Sequence, residues 1–491
     1  VAALLLLALA VLAPPAPPPH GALVVGTLTE PVSLEPHLAT DVLGAEIVAN
    51  VCETLVRMRP DSLRPEGVLA VSWATRDQRR WTFTLRKGVF FHDGTPFDAD
   101  AVVGNMEHLR RERAFFGSAR RIGPHVVQIT LDRANAALLS TLSQPFFAIQ
   151  SPRQLEGASS DRPVGTGPFG LVSRKPGRIV LEAFRDYWGG APRLSQLVFQ
   201  RFPDEEALTR ALASGDIDVS SAIDQARVAE LREREEVILD ARSGLNLAFL
   251  VLNNDRPPFD DRRVRLALAH ALNRRRIVDE VLKGYGEPAH TPLPLALLPE
   301  NLRSRDFALD PERARRLLAR AGMPDGLEAT LTVSAAPRPY LPEPRRVADL
   351  VRDNLAVVGV DVRIREVPTW AKHVELTSRG EYEMALLGWQ ADTLDPNDFL
   401  TVLLDSGSIG TTNRSRFSNE EMDRLLKRAR MESATQMRDA LYRRALALFQ
   451  EEMPFVPLYH ASVFVARRQE VNDLRTGPTG TLTFGRAWKT E

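Results

Sequence analysis

Trp81-Thr82-Phe83-Thr84-Leu85, then Phe90-Phe91-His92-Asp93-Gly94-Thr95-Pro96, then Ala99-Asp100-Ala101-Val102: this stretch of the 491-residue chain decides the fold class. The first piece alternates aromatic and aliphatic residues with threonine, the period-two pattern of a strand with one buried face. The second carries Asp-Gly and Thr-Pro steps, which favour a tight turn. The third opens a helix expected from Ala99 to Arg113, with Asp98 or Asp100 as its cap. Strand, turn and helix in close succession imply a mixed α/β fold.

The same alternation continues outward. Leu23-Val24-Val25-Gly26-Thr27-Leu28 reads as a first strand. Arg178-Ile179-Val180-Leu181 and Val360 to Val367 read as later strands, and Met384-Ala385-Leu386-Leu387-Gly388 as a buried strand end. Capping residues mark the helices. Asp310-Pro311 starts one and Gly322 ends it, Ser418-Asn419-Glu420-Glu421 forms a capping box before Met422, and Asp260-Asp261 precedes Val264 to Leu272. A further helix is expected from Ala440 to Phe449, ending before Pro454. Length gives a prior of about three domains.

Composition narrows the function. The 63 basic and 63 acidic residues cancel, whereas a protein devoted to nucleic acid carries a basic excess or stripe. No nucleic-acid partner is expected. The single cysteine, Cys52, excludes an intramolecular disulfide and a cysteine-based zinc cluster, and its apolar neighbours point to inert burial. Gly165-Thr166-Gly167-Pro168-Phe169-Gly170 has the spacing of a dinucleotide-binding loop. Pro168 interrupts it, however, and a strand rather than a phosphate-binding helix follows, so a structural turn is the better reading. His37, His92, His108, His125, His270, His290, His373 and His460 include no i, i+4 pair, so no metal site and no cofactor is expected. With no GxSxG elbow and no P-loop, the chain is not expected to be an enzyme.

Val1 to Ala13 is an uncharged Leu/Ala/Val run, followed by Pro14, Pro15, Pro17, Pro18 and Pro19. At about 1.5 Å per residue the run spans roughly 20 Å, short of a ~30 Å bilayer core. Residues 1–20 are therefore expected to be a signal peptide and spacer, with Ala10, Ala13 or Ala16 near the cleavage point, although no basic segment precedes the run. No cysteine follows it, so no lipid anchor is expected there, and the periplasm or another extracytoplasmic space is the expected location.

Two segments carry ligand chemistry. In Gly388-Trp389-Gln390-Ala391-Asp392-Thr393-Leu394-Asp395-Pro396-Asn397-Asp398-Phe399 a strand ends and an aromatic side chain and several carboxylates emerge. Asp395, before Pro396, suits a turn; Asp392 suits an ammonium ligand, with Trp389 as a flat wall. In Pro337-Arg338-Pro339-Tyr340-Leu341-Pro342-Glu343-Pro344 four prolines stiffen a loop. A rigid arginine can hold a carboxylate through two parallel hydrogen bonds, although Arg338 taken alone reads better as a surface side chain.

The chain resembles the family 5 solute-binding proteins of bacterial ABC importers. The resemblance rests on Glu53-Thr54-Leu55-Val56-Arg57, on Trp81 through Phe97, on Pro163 through Phe169, on Asp186-Tyr187-Trp188-Gly189-Gly190, on Gly215 through Asp218, on Pro258 through Arg265 and on Glu452 through Tyr459, in that order. It implies a two-lobed periplasmic-binding-protein fold (type II-like, cluster C) with an extra subdomain in the first lobe. Residues 21–247 would form lobe I, with the subdomain at about 45–165. Residues 248–465 would form lobe II, and 466–491 would return to lobe I. The pattern is most like that of the dipeptide-binding proteins, in which case Arg338, Tyr340, Gly388, Trp389 and Asp392 form the ligand site. Arg338 would hold the peptide carboxylate and Asp392 the α-ammonium. The expected partners are a short peptide and the transmembrane subunits of an ABC permease, with the protein itself a monomer. A glutathione-like peptide, a nickel chelate or haem are the alternative solutes, and a peptidase is the least favoured reading.

Overall fold

The computed structural model describes residues 21–112, 115, 117–155, 161–298 and 307–490. The expected signal and spacer, and the helix end expected at Arg113, lie outside them. The deciding stretch forms a strand over Arg80–Leu85, a turn in which Phe90 pairs with Pro96 and Gly94 takes φ +78°, and a helix over Ala99–Arg111. Trp81, Phe83 and Leu85 point into the core while Thr84 is exposed, the alternation that their spacing dictates. The Asp98 carboxylate accepts the N–H groups of Asp100 and Ala101 and so caps the helix. Around it, Ala70–Thr75, Arg80–Leu85, Val126–Leu131 and Gly117–Gly123 form a four-stranded antiparallel sheet in that order. Phe83, Phe91, Phe97, Val102 and Ile129 belong to a hydrophobic core of its own.

The main sheet is larger and has two halves. In one, the first strand, Ala22–Thr27, lies parallel to Gln196–Arg201, which is followed by Arg178–Ala183 and Phe169–Lys175 in antiparallel order. In the other, Asn246–Leu252, Met384–Gln390, Leu327–Ser334 and Val360–Val367 lie side by side. The strand Phe455–Arg468 joins the halves. Its first part pairs with Asn246–Leu252, and its second with Val237–Ser243 and Val219–Ser220. Asn246–Leu252 is buried along its whole length, as a central strand covered on both faces must be.

Most helix boundaries fall where their caps predict. Asp310 accepts the Arg313 N–H at the head of Pro311–Arg320, and Asp261 the Arg263 N–H at the head of Arg262–Ala271. One cap differs. Asn419, not Ser418, accepts the Met422 N–H (3.0 Å) and starts the helix Glu420–Met431, because its side chain rather than the serine one residue earlier stands three positions before that N–H. The helix expected from Ala440 to Phe449 is longer, Thr435–Glu452.

Candidate functional site

Two loops leave the same edge of the main sheet. Leu327–Ser334 and Met384–Gln390 run parallel, with Leu331 opposite Met384 and Thr332 opposite Ala385, so their C-terminal ends emerge side by side. Ligands of open α/β sheets bind beyond such ends. The first strand leads into Arg338 and Tyr340; the second ends in Gly388 and Trp389 and leads into Asp392.

The first loop is closed on itself. The Arg338 N–H donates to the Leu341 carbonyl (3.0 Å), and the Leu341 N–H to the Arg338 carbonyl (2.8 Å). The Arg338 guanidinium lies over the Trp370 ring, 4.9 Å from its centroid. Its buried Nε has no hydrogen-bond partner among the described residues. Stacking holds the guanidinium plane and leaves its edge for a bidentate acceptor. Tyr340 is buried beside it; burial raises the phenol's pKa, and the adjacent Arg338 opposes that shift. The Tyr340 ring lies against Gly388, where a Cβ would overlap the ring and come within 2.6 Å of the Leu247 carbonyl oxygen. Only glycine permits this approach.

Trp389 is half-buried against the surrounding core, and its buried indole Nε1 has no partner among the described residues. The following loop is fastened by the Ala391 N–H to the Leu245 carbonyl (2.8 Å) and by the N–H groups of Asp392 (2.6 Å) and Thr393 (3.0 Å) to Asp398. Burial pushes the Asp398 carboxyl up to about 7 and also raises that of Asp392. Among the described residues no cation pairs with Asp392. Asp395 has the opposite surroundings. Arg438 donates to both its oxygens (2.7 and 2.8 Å), the Tyr442 hydroxyl to one of them (3.2 Å), and the Asn397 N–H completes a turn (2.9 Å). Tyr340 and Gly388 are thus in contact, with Arg338 beside them on the same loop; Trp389, the next strand residue, leaves the opposite face of the strand, and Asp392 follows on the loop beyond.

A family model described as bacterial extracellular solute-binding proteins, family 5 Middle, matches residues 64–411. The chain belongs to this family. The heme-binding protein A of Haemophilus influenzae is 31% identical over 470 residues, 88% of this chain and 86% of that protein. The di/tripeptide-binding protein 1 of Pseudomonas aeruginosa is 29% identical over 454 residues, 85% and 84% of the two chains. The structure of HbpA2 from Haemophilus parasuis superposes with a TM-score of 0.90 at 28% identity, covering 96% of this chain and all of that one. The two-lobed fold of family 5 is therefore the fold of this chain.

In this family 5 protein the motifs that carry the resemblance meet at Glu53, a residue of the first of them to which sequence reasoning gave no role. The buried Glu53 carboxylate accepts hydrogen bonds from the Thr166 hydroxyl (2.9 Å), the Tyr187 hydroxyl (2.8 Å) and the Trp188 indole N–H (2.7 Å). Burial raises its pKa, and these donors oppose the shift. An acid within the apolar run Val51-Cys52-Glu53-Thr54-Leu55 was the available signal. The glycine-rich stretch is a turn, as read: a Cβ on Gly165 would meet the Cys52 Cα at 2.6 Å, and one on Gly167 the Val51 carbonyl oxygen at 2.7 Å. Cys52 is buried and its thiol pKa is raised by that burial, in keeping with an inert side chain.

A cavity of about 620 Å³ lies between the 115–147 region and Arg430, lined by Phe115, Leu131, Arg133, Asn135 and Leu138 among others. None of the five expected ligand residues lines it. Beside it the Leu394 N–H, from the Asp392 loop, donates to the Ser140 hydroxyl (2.8 Å), and the Ala136 N–H to the Arg430 carbonyl (2.9 Å). The loop that carries Asp392 is thus held from across the molecule.

Proposed function

We propose that this protein is the extracytoplasmic solute-binding component of a bacterial ABC importer and captures short peptides, read as zwitterions, between its two lobes. One observation carries this reading. A stacked arginine and an aspartate, the one with a nitrogen unpartnered and the other unpaired among the described residues, occupy neighbouring loops at one sheet edge. Arg338 would take the peptide carboxylate, Asp392 the α-ammonium, and Trp389 would flank the chain. Tyr340, seated on Gly388, would hold Arg338 in place. The similarity to a di/tripeptide-binding protein supports this choice of solute.

Lobe I would comprise 21–247, with the subdomain at about 45–165 and the return at 466–491, and lobe II 248–465. Closure on solute favours the state in which both lobes contact it. The protein would act as a monomer, hand its cargo unchanged to a membrane permease, and catalyse nothing. Native mass spectrometry of freshly purified protein tests the proposal. The expected result is retained mass equal to short peptides, displaced by added dipeptide. Absence of retained peptide, together with no calorimetric response to dipeptides with free termini, would overturn it.

A haem cargo is the second reading, favoured by the 31% identity with heme-binding protein A. Titration with haem, followed by its visible absorption, separates the two: a saturable shift that dipeptide does not compete would support haem.

A further inference from the structure

The histidines are widely spaced in sequence, yet the fold brings two of them and a carboxylate to one point. His37 Nε2 lies 3.1 Å from His108 Nε2 and 3.3 Å from Glu35 Oε1. One ligand atom from each of the three residues falls within 4.8 Å of the others. Glu35 and His37 flank Pro36 in a short 3-10 turn, Pro36–Leu38, whose backbone is fixed by the Leu38 and Ala39 N–H groups on the Glu35 carbonyl (2.9 Å each). The Glu35 N–H is held in turn by the Ser33 hydroxyl (3.0 Å). His108 comes from the last turn of the helix Ala99–Arg111, its ring edge-on to that of His37 at 4.5 Å between centroids.

Proton counting argues against a purely hydrogen-bonded cluster. Each Nε2 carries at most one proton, and the two cannot both point it at the other. His37 Nε2 faces both His108 Nε2 and Glu35 Oε1, so its one proton serves at most one of these contacts with good geometry. A cation accepts all three lone pairs at once. The spacing is close to what an ion needs: tetrahedral ligands at about 2.0–2.1 Å from Zn²⁺ stand about 3.3–3.4 Å apart, against 3.1 and 3.3 Å for the two contacts of His37. The side chains of Glu35 and His37 are 7% and 8% exposed, so little water competes for the position.

We propose that Glu35, His37 and His108 form a binding site for a divalent first-row metal ion, Zn²⁺ foremost. Imidazole and carboxylate together select such ions. Three protein ligands leave a fourth position for water. The site lies outside the peptide patch and does not depend on the proposed solute. Its ligands come from the segment that follows the first strand and from the helix of the small sheet's domain, so a bound ion would brace one against the other.

The test uses untagged protein stripped with EDTA. Calorimetric titration with ZnCl₂ is expected to show one equivalent bound per chain, and Co²⁺ in its place to give the visible bands of a low-coordinate nitrogen–oxygen site. Loss of even an outer partner of a metal ligand costs about 10- to 100-fold in affinity, so His108→Ala and His37→Ala should each weaken Zn²⁺ binding by at least about tenfold while leaving dipeptide affinity unchanged. The wild-type Co²⁺ spectrum needs no variant and keeps the test open should a substitution fail to fold. A Co²⁺ spectrum of the hydrated ion alone, or equal Zn²⁺ binding by wild type and the double variant, would overturn the site.

Discussion

Asp392 and Asp395 stand three residues apart and face opposite conditions. Asp395 already holds Arg438 and Tyr442, so it is structural. Asp392 is raised by burial, with no cation among the described residues to offset the cost, and an incoming ammonium would supply one. Leaving one charge of a desolvated pair unmatched costs about 2–5 kcal/mol. Calorimetry on Asp392→Ala with a simple dipeptide should therefore show affinity reduced about 30-fold or more; an unchanged value would remove Asp392 from the site. The pH dependence follows in sign. Only the carboxylate attracts the ammonium, so affinity should fall as pH drops through the raised pKa of Asp392, and Asp392→Asn should flatten that slope to the part that neighbouring Asp398 contributes. For Arg338→Ala the discriminating measurement is a dipeptide against its C-terminal amide. Wild type should prefer the free acid and the variant should treat the two alike; if wild type already treats them alike, Arg338 reads no carboxylate. Distance along the chain explains what could be seen in advance. Asp392 and Arg338 could be put forward as candidates because each sits in its own short, turn-rich segment, whereas the Arg438 that neutralises Asp395 lies 43 residues away. Glu53 was missed for the same reason, its partners lying 113 to 135 residues on.

At the scale of elements, period and caps gave most strands and helices, because both are local: Val360–Val367 begins and ends where its alternation does. The pairing of Leu327–Ser334 with Met384–Gln390 is not local, and no periodicity reports it, yet that pairing sets both loops at one edge. Gly388 shows how the two elements interlock. Gly388→Ala must displace the Tyr340 ring or the backbone at Leu247, and overpacking of this kind costs about 1–3 kcal/mol. Because Tyr340 neighbours Arg338, the loss should appear in peptide affinity as well as in thermal stability. Calorimetry and melting curves on the same preparation check this. A variant that melts earlier yet binds normally would show that Tyr340 does not position Arg338.

The whole molecule is closed by contacts between segments far apart in sequence, and one of them titrates. Glu46, on the helix Val42–Val51, accepts the Leu482 N–H (3.2 Å), and the neighbouring Asn50 side chain donates to the Leu482 carbonyl (2.9 Å) and accepts the Phe484 N–H (2.9 Å). Farther along the same segment, Lys489 pairs with Asp218 (2.7 Å), whose carboxylate also accepts the Val24 N–H (2.7 Å). Residues 482–489 are in this way strapped to the first strand and helix. Full burial pushes the Glu46 carboxyl from 4.5 up to about 8, so the folded chain holds this proton where the unfolded chain has released it. Its contribution is complete below the unfolded value and is lost as pH rises through the folded one, by on the order of a few kcal/mol. Urea midpoints at about pH 5 and about pH 9 should therefore fall more in wild type than in Glu46→Gln, whose amide keeps the shape without the titration. Equal falls in the two proteins would mean that Glu46 ionises without cost, and that the strap over residues 482–484 is held by Asn50 alone.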